Sequence, residues 1–134
     1  MTFVTEHLVR FAHVDAAGIV FYPRYFEMVN AAVEDLFASA VGVNMNVLHI
    51  DRKLGIPTVK LDAEFVAPSR LWDLLTFTVS VLKVGRSSLE LAMEITCGAE
   101  VRFRTYAILV CMDLASGRSL PWPDDLRAGL AAQL

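Results

Sequence analysis

Cysteine is scarce in this 134-residue chain: Cys97 and Cys111 are the only two, each in a strand-like apolar run, without CxxC spacing or a neighbouring histidine. That excludes a disulfide framework and a thiolate metal site and leaves two reduced core thiols as the expectation. Positive charge is also in short supply. Twelve Lys and Arg stand against fifteen Asp and Glu, for a net charge of −3, and the basic residues are scattered. Nucleic acid rewards a concentrated cationic face, so no such partner is expected. No stretch approaches the ~18 consecutive apolar residues of a membrane span. Met1 to Arg10 contains Glu6 and His7 and lacks the uninterrupted apolar core of a signal peptide. Repeats, low-complexity stretches and linkers are missing as well, so residues 1–134 read as one domain, expected to be soluble and cytoplasmic.

What the chain has in quantity is hydrophobic residues, 55% of the total, a high share for a soluble domain. Their spacing changes along the sequence. Thr2 to Phe11 reads as a strand, and Ala12 to Tyr22 as an irregular segment. From Tyr25 the apolar residues Met28, Val29, Ala32, Val33, Leu36, Phe37 and Ala40 follow a helical period, with Gly42 as terminator. Asn44 to Leu54 suits a short second helix. Beyond Gly55 the period becomes two. Val59, Leu61, Ala63 and Phe65 alternate with Lys60, Asp62 and Glu64, which predicts a strand with one wet face. Leu75 to Val81, Leu89 to Ile95 and Val101 to Met112 follow as strands, with turns at Gly85 and Gly98 that imply antiparallel pairing. Asp124 to Leu134 suits a terminal helix after Pro121 and Pro123. The class is α+β: one long apolar helix and a five-stranded antiparallel sheet long enough to curl around it. In the last strand Tyr106, Ile108, Val110 and Met112 make the outer face apolar, which predicts either a homodimer or homotetramer or a C-terminal segment folded back over it.

Chemistry concentrates in Arg10 to Ala32. Asp15 lies in a loop just before the start of the buried helix, Gly18 permits a tight turn, and Pro23 suits the first helical turn. Free N–H groups at a helix start favour an oxyanion. Pro23 has none, so the candidate donors are Tyr22, Arg24 and Tyr25. A carboxylate beside such a donor can attack a carbonyl, or activate water against it.

The run Asp15-Ala-Ala-Gly18-Ile19-Val20-Phe21-Tyr22-Pro23, followed by Tyr25, resembles the signature of the 4-hydroxybenzoyl-CoA thioesterase family, and the likeness continues at Pro68, Arg70 and Asp73. The resemblance implies a hotdog fold, the long helix wrapped by the sheet, and hydrolysis of an aromatic or short-chain acyl-CoA without a cofactor. It implies Asp15 as nucleophile or general base, the Tyr22 amide as the group polarising the thioester carbonyl, and Gly18 as the shaper of the loop between them. It further implies an active site at a dimer interface, with dimers pairing into tetramers. Tyr25 and Asn30 are then candidates to contact the substrate, and Arg86, with Lys83 and Arg118 as other candidates, to contact the phosphates of CoA. Asn30 stands where aroyl-specific relatives carry an aspartate that meets a phenolic hydroxyl. His13 stands where many relatives carry an acidic residue.

Two other functions fit the same sequence. His13 with Glu27 would suit a hotdog dehydratase, which uses a histidine and a helix carboxylate for proton transfer. A non-catalytic acyl-CoA binder would keep the groove without the chemistry. His13 and Asp15 have no evident third ligand for a metal, and Ser87, Ser88 and Ser116 lack the elbow of a serine nucleophile.

Overall fold

Alternating apolar residues build the centre of a five-stranded antiparallel sheet in the computed structural model, which describes residues 2–134. The strands are β1 (Thr2–Leu8), β3 (Thr58–Phe65), β4 (Leu74–Val84), β5 (Ser88–Cys97) and β6 (Glu100–Val110), in the spatial order β1-β4-β5-β6-β3. Two short strands, β2 (Leu54–Gly55) and β7 (Met112–Asp113), pair as a separate ribbon. The inner face of the sheet carries Leu75, Phe77, Val79 and Val81 from β4, Leu89, Leu91, Met93 and Ile95 from β5, and Phe103, Ala107 and Leu109 from β6, all buried.

Helix α1 (Tyr22–Asp35) crosses that face, and its turns widen over Leu36–Val41. Together they run ~30 Å at 1.5 Å per residue. Tyr25, Met28, Val29, Ala32, Val33, Leu36 and Phe37 are the buried stripe that the helical period predicts. Gly42 ends the helix as expected, at φ 90°, with its N–H donated to Phe37 O (2.7 Å). This is the hotdog arrangement: a long helix held in a sheet that wraps it. Among the described residues no helix is long and apolar enough to cross a membrane.

Two expectations about the periphery change. The terminal helix α2 (Asp124–Ala131) does not cover the outer sheet face. It buries Leu126 and Leu130 at the C-terminal end of the long helix, so tightly that a Cβ on Gly129 would lie 2.8 Å from Val41 Cγ1. Trp122 donates its indole N–H to Ser88 O (2.9 Å), and Arg127 donates to Gly85 O and Arg86 O (2.8 Å each). Those bonds strap the segment to the β4–β5 turn and leave Tyr106, Ile108 and Val110 half-exposed on the outer face. Strand β3 was expected to have one wet face and has two. All eight of its residues are exposed at the edge of the sheet beside β6, although Phe65 still meets Tyr22, Tyr25 and Phe26 of α1 edge to face.

Candidate active site

The segment before α1 folds back on itself as a small antiparallel loop. His13 O accepts the Phe21 N–H (2.9 Å), Val14 bridges Val20, and the Asp15 N–H is donated to Ile19 O (2.9 Å). Gly18 closes the turn at φ 77°, where a Cβ would be strained, and donates its N–H to Asp15 O (3.0 Å). Asp15 is exposed, and its Oδ1 accepts the Ala17 N–H at 2.8 Å. This Asx turn orients the carboxylate and leaves Oδ2 without a hydrogen-bond partner from the described residues.

The helix start narrows the set of oxyanion donors. Of the three expected from sequence, Arg24 gives its N–H to Phe21 O (2.8 Å). Tyr25 lies one turn in, where the i−4 pattern directs its N–H back along the helix. That leaves Tyr22, the first helical residue, whose N–H finds no backbone acceptor among the described residues.

The Asp15 loop rests on a second loop, residues 66–73, between β3 and β4. Ser69 O accepts the Val20 N–H (2.8 Å), Leu71 donates to Gly18 O (3.2 Å), and Arg70 bridges Ile19. Ser69 is fully buried, and its hydroxyl accepts a hydrogen bond from Tyr25 Oη at 2.8 Å. Arg102 holds the far side of the same loop through Pro68 O (3.1 Å) and Asp73 Oδ2 (2.7 Å). The Arg70 N–H and the Arg102 guanidinium depress the Asp73 carboxyl below its ordinary range, so it stays ionised around neutrality.

Tyr25, expected to contact substrate, lines a pocket of about 300 Å³ beside Tyr22 and also has a structural part. Its ring is buried and stacks on Phe103 (centroids 4.7 Å apart, 6° between planes), and its hydroxyl ties the first turn of α1 to Ser69. Burial raises its pKa above the usual phenol value. Replacing Ser69 by alanine would leave that hydroxyl unpaired in the interior, at a cost of about 1–3 kcal/mol. We expect a matching fall in unfolding free energy by urea titration, with kcat reduced and KM little changed. A stability equal to that of the native chain would mean that the Tyr25–Ser69 bond does not brace the loop.

Arg86 also lies apart. It is exposed in the β4–β5 turn, beside Trp122 and Arg127, at the end of the molecule that holds the C-terminus of the long helix. The Asp15 loop is held at the opposite end, near Asp73, some ten strand residues or ~30 Å away along β4. Within one protomer Arg86 and Asp15 cannot hold the same CoA molecule unless it stretches over that whole length.

Asn30 and Glu27 line different grooves, which the exposed ridge of α1 divides. Glu27 faces a groove of about 380 Å³ with His7, Arg10 and His13. His13 Nδ1 accepts the Arg10 N–H (2.8 Å), and burial lowers its pKa against the opposing pull of Glu27. Glu27 in turn pairs with Arg24 (2.6 Å). Each member of the dehydratase pair thus has a partner of its own, while both line the same groove. Asn30 lines a wider groove, of about 530 Å³, on the other side of the ridge. Sequence reasoning gave Ser69 and Arg102 no role: Ser69 stands between the motif residues Pro68 and Arg70 without being singled out, and an arginine in a strand carries no local mark of the loop it holds. No group of three or more His, Cys, Asp or Glu side chains suited to a metal occurs among the described residues.

Comparison with known proteins agrees with this architecture. The model of the thioesterase-like superfamily matches residues 9–130. A 1,4-dihydroxy-2-naphthoyl-CoA hydrolase of Nostoc punctiforme is 25% identical over 126 residues, spanning 94% of this chain and 84% of that protein. The crystal structure of a 1,4-dihydroxy-2-naphthoyl-CoA thioesterase from Synechocystis superposes with a TM-score of 0.86 at 22% identity, over 98% of this chain and 96% of the other. A gentisyl-coenzyme A thioesterase superposes with a TM-score of 0.83 at 27% identity, over 92% of this chain and 98% of the other. The likeness is thus to the broader superfamily and to thioesterases named for other aryl groups, where the Asp15 motif suggested the 4-hydroxybenzoyl-CoA enzymes.

Proposed function

The chain belongs to the thioesterase-like superfamily, and from that premise we propose that it hydrolyses an aryl-CoA thioester to the free acid and CoA, with Asp15 as the catalytic carboxylate. The observation that carries this reading is the pairing of an oriented, exposed carboxylate with an unpaired N–H at the start of a buried helix, one on each side of the 13–21 loop. The thioester carbonyl oxygen accepts the Tyr22 N–H. The Asp15 Oδ2 either attacks the carbonyl carbon or takes a proton from the water that does. The tetrahedral oxyanion is then held by Tyr22 and the positive end of α1, and its collapse expels the CoA thiolate, which takes up a proton. With water as the attacking group the free acid forms at once; with Asp15 as the attacking group a mixed anhydride is left, and a water molecule hydrolyses it to the free acid and the Asp15 carboxylate. Relatives named for dihydroxynaphthoyl and gentisyl thioesters support an aromatic acyl group. Release of free thiol from aryl, arylacetyl and aliphatic CoA thioesters tests the reading. Aryl members should lead in kcat/KM, and failure to hydrolyse any of them would favour a binding protein instead.

A second copy completes this site in our reading. Strand β3 offers an unpaired edge with Val59, Leu61 and Phe65 exposed at 59%, 37% and 52%, a surface that an isolated chain does not leave open without risk of pairing. Beside it Phe26, Val29 and Leu61 line an uncovered apolar groove. Light scattering at micromolar concentration should give a dimer or tetramer, and Leu61→Asp should shift it toward the monomer with loss of activity. A native chain that is monomeric and fully active would remove the shared site.

A further inference from the structure

His13 sits where three parts of the site meet. Its N–H is donated to Arg10 O (2.9 Å), which closes the short turn Phe11–His13 after β1. Its carbonyl accepts the N–H of Phe21, the residue before α1 (2.9 Å). The ring adds a third bond, in which Nδ1 accepts the Arg10 N–H at 2.8 Å. Asp15 follows two residues later, and the Tyr22 N–H belongs to the peptide that Phe21 begins. A displacement of His13 therefore moves Asp15 and the Tyr22 amide together.

The turn has little else to hold it. None of its three residues is buried, and Phe11 is 82% exposed. Where packing is absent, the hydrogen bonds that remain govern local opening.

The ring bond exists in one protonation state only. A backbone N–H always donates, so Nδ1 carries a lone pair and the proton of the neutral ring sits on Nε2. Protonation turns Nδ1 into a donor and sets two N–H groups against each other. The surroundings favour the neutral ring. Burial lowers the His13 pKa below the ordinary histidine value; Glu27 on α1 opposes this, while Arg24, Arg10 and His7 add to it. Glu6 of β1 lines the same groove. The neutral ring thus stabilises the fold above pH ~6.5, and that contribution is lost as the pH falls through the lowered value. His7, the other histidine of the groove, behaves differently. Its Nε2 lies 3.0 Å from the Asp35 carboxylate, which accepts from the neutral and the charged ring alike.

We propose that His13 is a positioning residue for this site, a latch that sets Asp15 and the Tyr22 N–H while its imidazole is neutral and releases them in acid. The proposal rests on the thioesterase reading above. It is tested by kcat and KM between about pH 5 and pH 7.5 for the native chain, His13→Asn and His13→Leu. Asparagine Oδ1 takes the place of Nδ1 and accepts the Arg10 N–H, whereas leucine offers no acceptor. The native kcat should fall about tenfold into acid, the loss of one hydrogen bond, with KM little changed. His13→Asn, whose side chain does not titrate, should lose less than about twofold over the same range. His13→Leu should show the acid-state kcat at every pH. An acid limb that persists in His13→Asn belongs to another group and overturns the proposal, as does a fully active His13→Leu. If His13→Leu does not fold, the native and His13→Asn profiles still decide. A readout independent of hydrolysis is an NMR titration of the free protein. The Arg10, Asp15 and Tyr22 amide resonances should move with the His13 ring in the native chain and lose that step in His13→Asn. Amides that follow the ring in a chain without activity keep the latch and sink the thioesterase reading, whereas amides that ignore the ring sink the latch.

Discussion

Asp15→Asn should leave a folded protein that hydrolyses aryl-CoA thioesters at under about a hundredth of the native rate, since a positioned carboxylate contributes ~10²–10⁴-fold. The replacement is nearly isosteric. The asparagine carbonyl can still accept the Ala17 N–H that Asp15 Oδ1 accepts at 2.8 Å, so the Asx turn survives and the thermal midpoint should stay within a few degrees. What disappears is the negative oxygen that attacks the carbonyl or receives the proton of water. Substrate affinity should change little, because Asp15 is exposed and outside the grooves described above. The decisive number is kcat from a purified, folded variant. A residual rate above about a tenth of native corresponds to less than ~1.4 kcal/mol of barrier. Asp15 would then be an ordinary turn residue, and Glu27 and Glu34 would be the next carboxylates to examine.

Several parts of this arrangement were legible in the sequence because they depend on local pattern. The period-two runs at Leu75–Val81 and Leu89–Ile95 became central strands, since alternation is what one buried face of a sheet requires. The stripe from Tyr25 to Phe37 became the buried face of α1, and Gly42 ended it. The Asp15 run pointed to the right fold and superfamily. What depended on distant partners was not legible. The residues of β3 alternate as cleanly as those of β4, yet β3 sits at the edge beside β6, and neither neighbour nor cover is encoded in its own pattern. Arg86 could be placed in a turn, but not at the opposite end of the helix from Asp15, because that separation arises from the length of β4. Three N–H donors reduced to one through the Arg24 bond to Phe21 O and the helical direction of the Tyr25 N–H, details of the first turn that composition does not reveal. Tyr25 belonged to the motif, yet its hydroxyl meets Ser69, forty-four residues away. The wide groove joins side chains from α1, the 45–57 segment and the β6–β7 end of the sheet, and no window of sequence contains all three.

Tyr22→Pro should lower kcat about 100- to 1000-fold, the loss that follows removal of one oxyanion donor, while Tyr22→Ala should cost far less. The pair separates the backbone N–H from the side chain. Alanine keeps the N–H and removes the ring, which is 59% exposed and meets Phe21 and Phe65 only edge to face. Proline removes both. The proline is tolerated by the backbone for two reasons. Tyr22 is the first residue of α1, where the N–H has no intrahelical partner and proline is favoured. Phe21, which would then precede a proline, already has φ −67° and ψ 124°, the extended conformation that such a residue adopts. Helix content by circular dichroism should therefore match that of Tyr22→Ala, and the two variants can be compared at equal fold. A kcat for Tyr22→Pro that is at least thirtyfold below that of Tyr22→Ala, with similar KM, assigns the stabilisation to the N–H, because the bond strengthens as the carbonyl oxygen becomes anionic and adds little to the ground state. Equal losses in the two variants would mean that the ring, and not the amide, carries the effect, and the helix start would no longer be the oxyanion site.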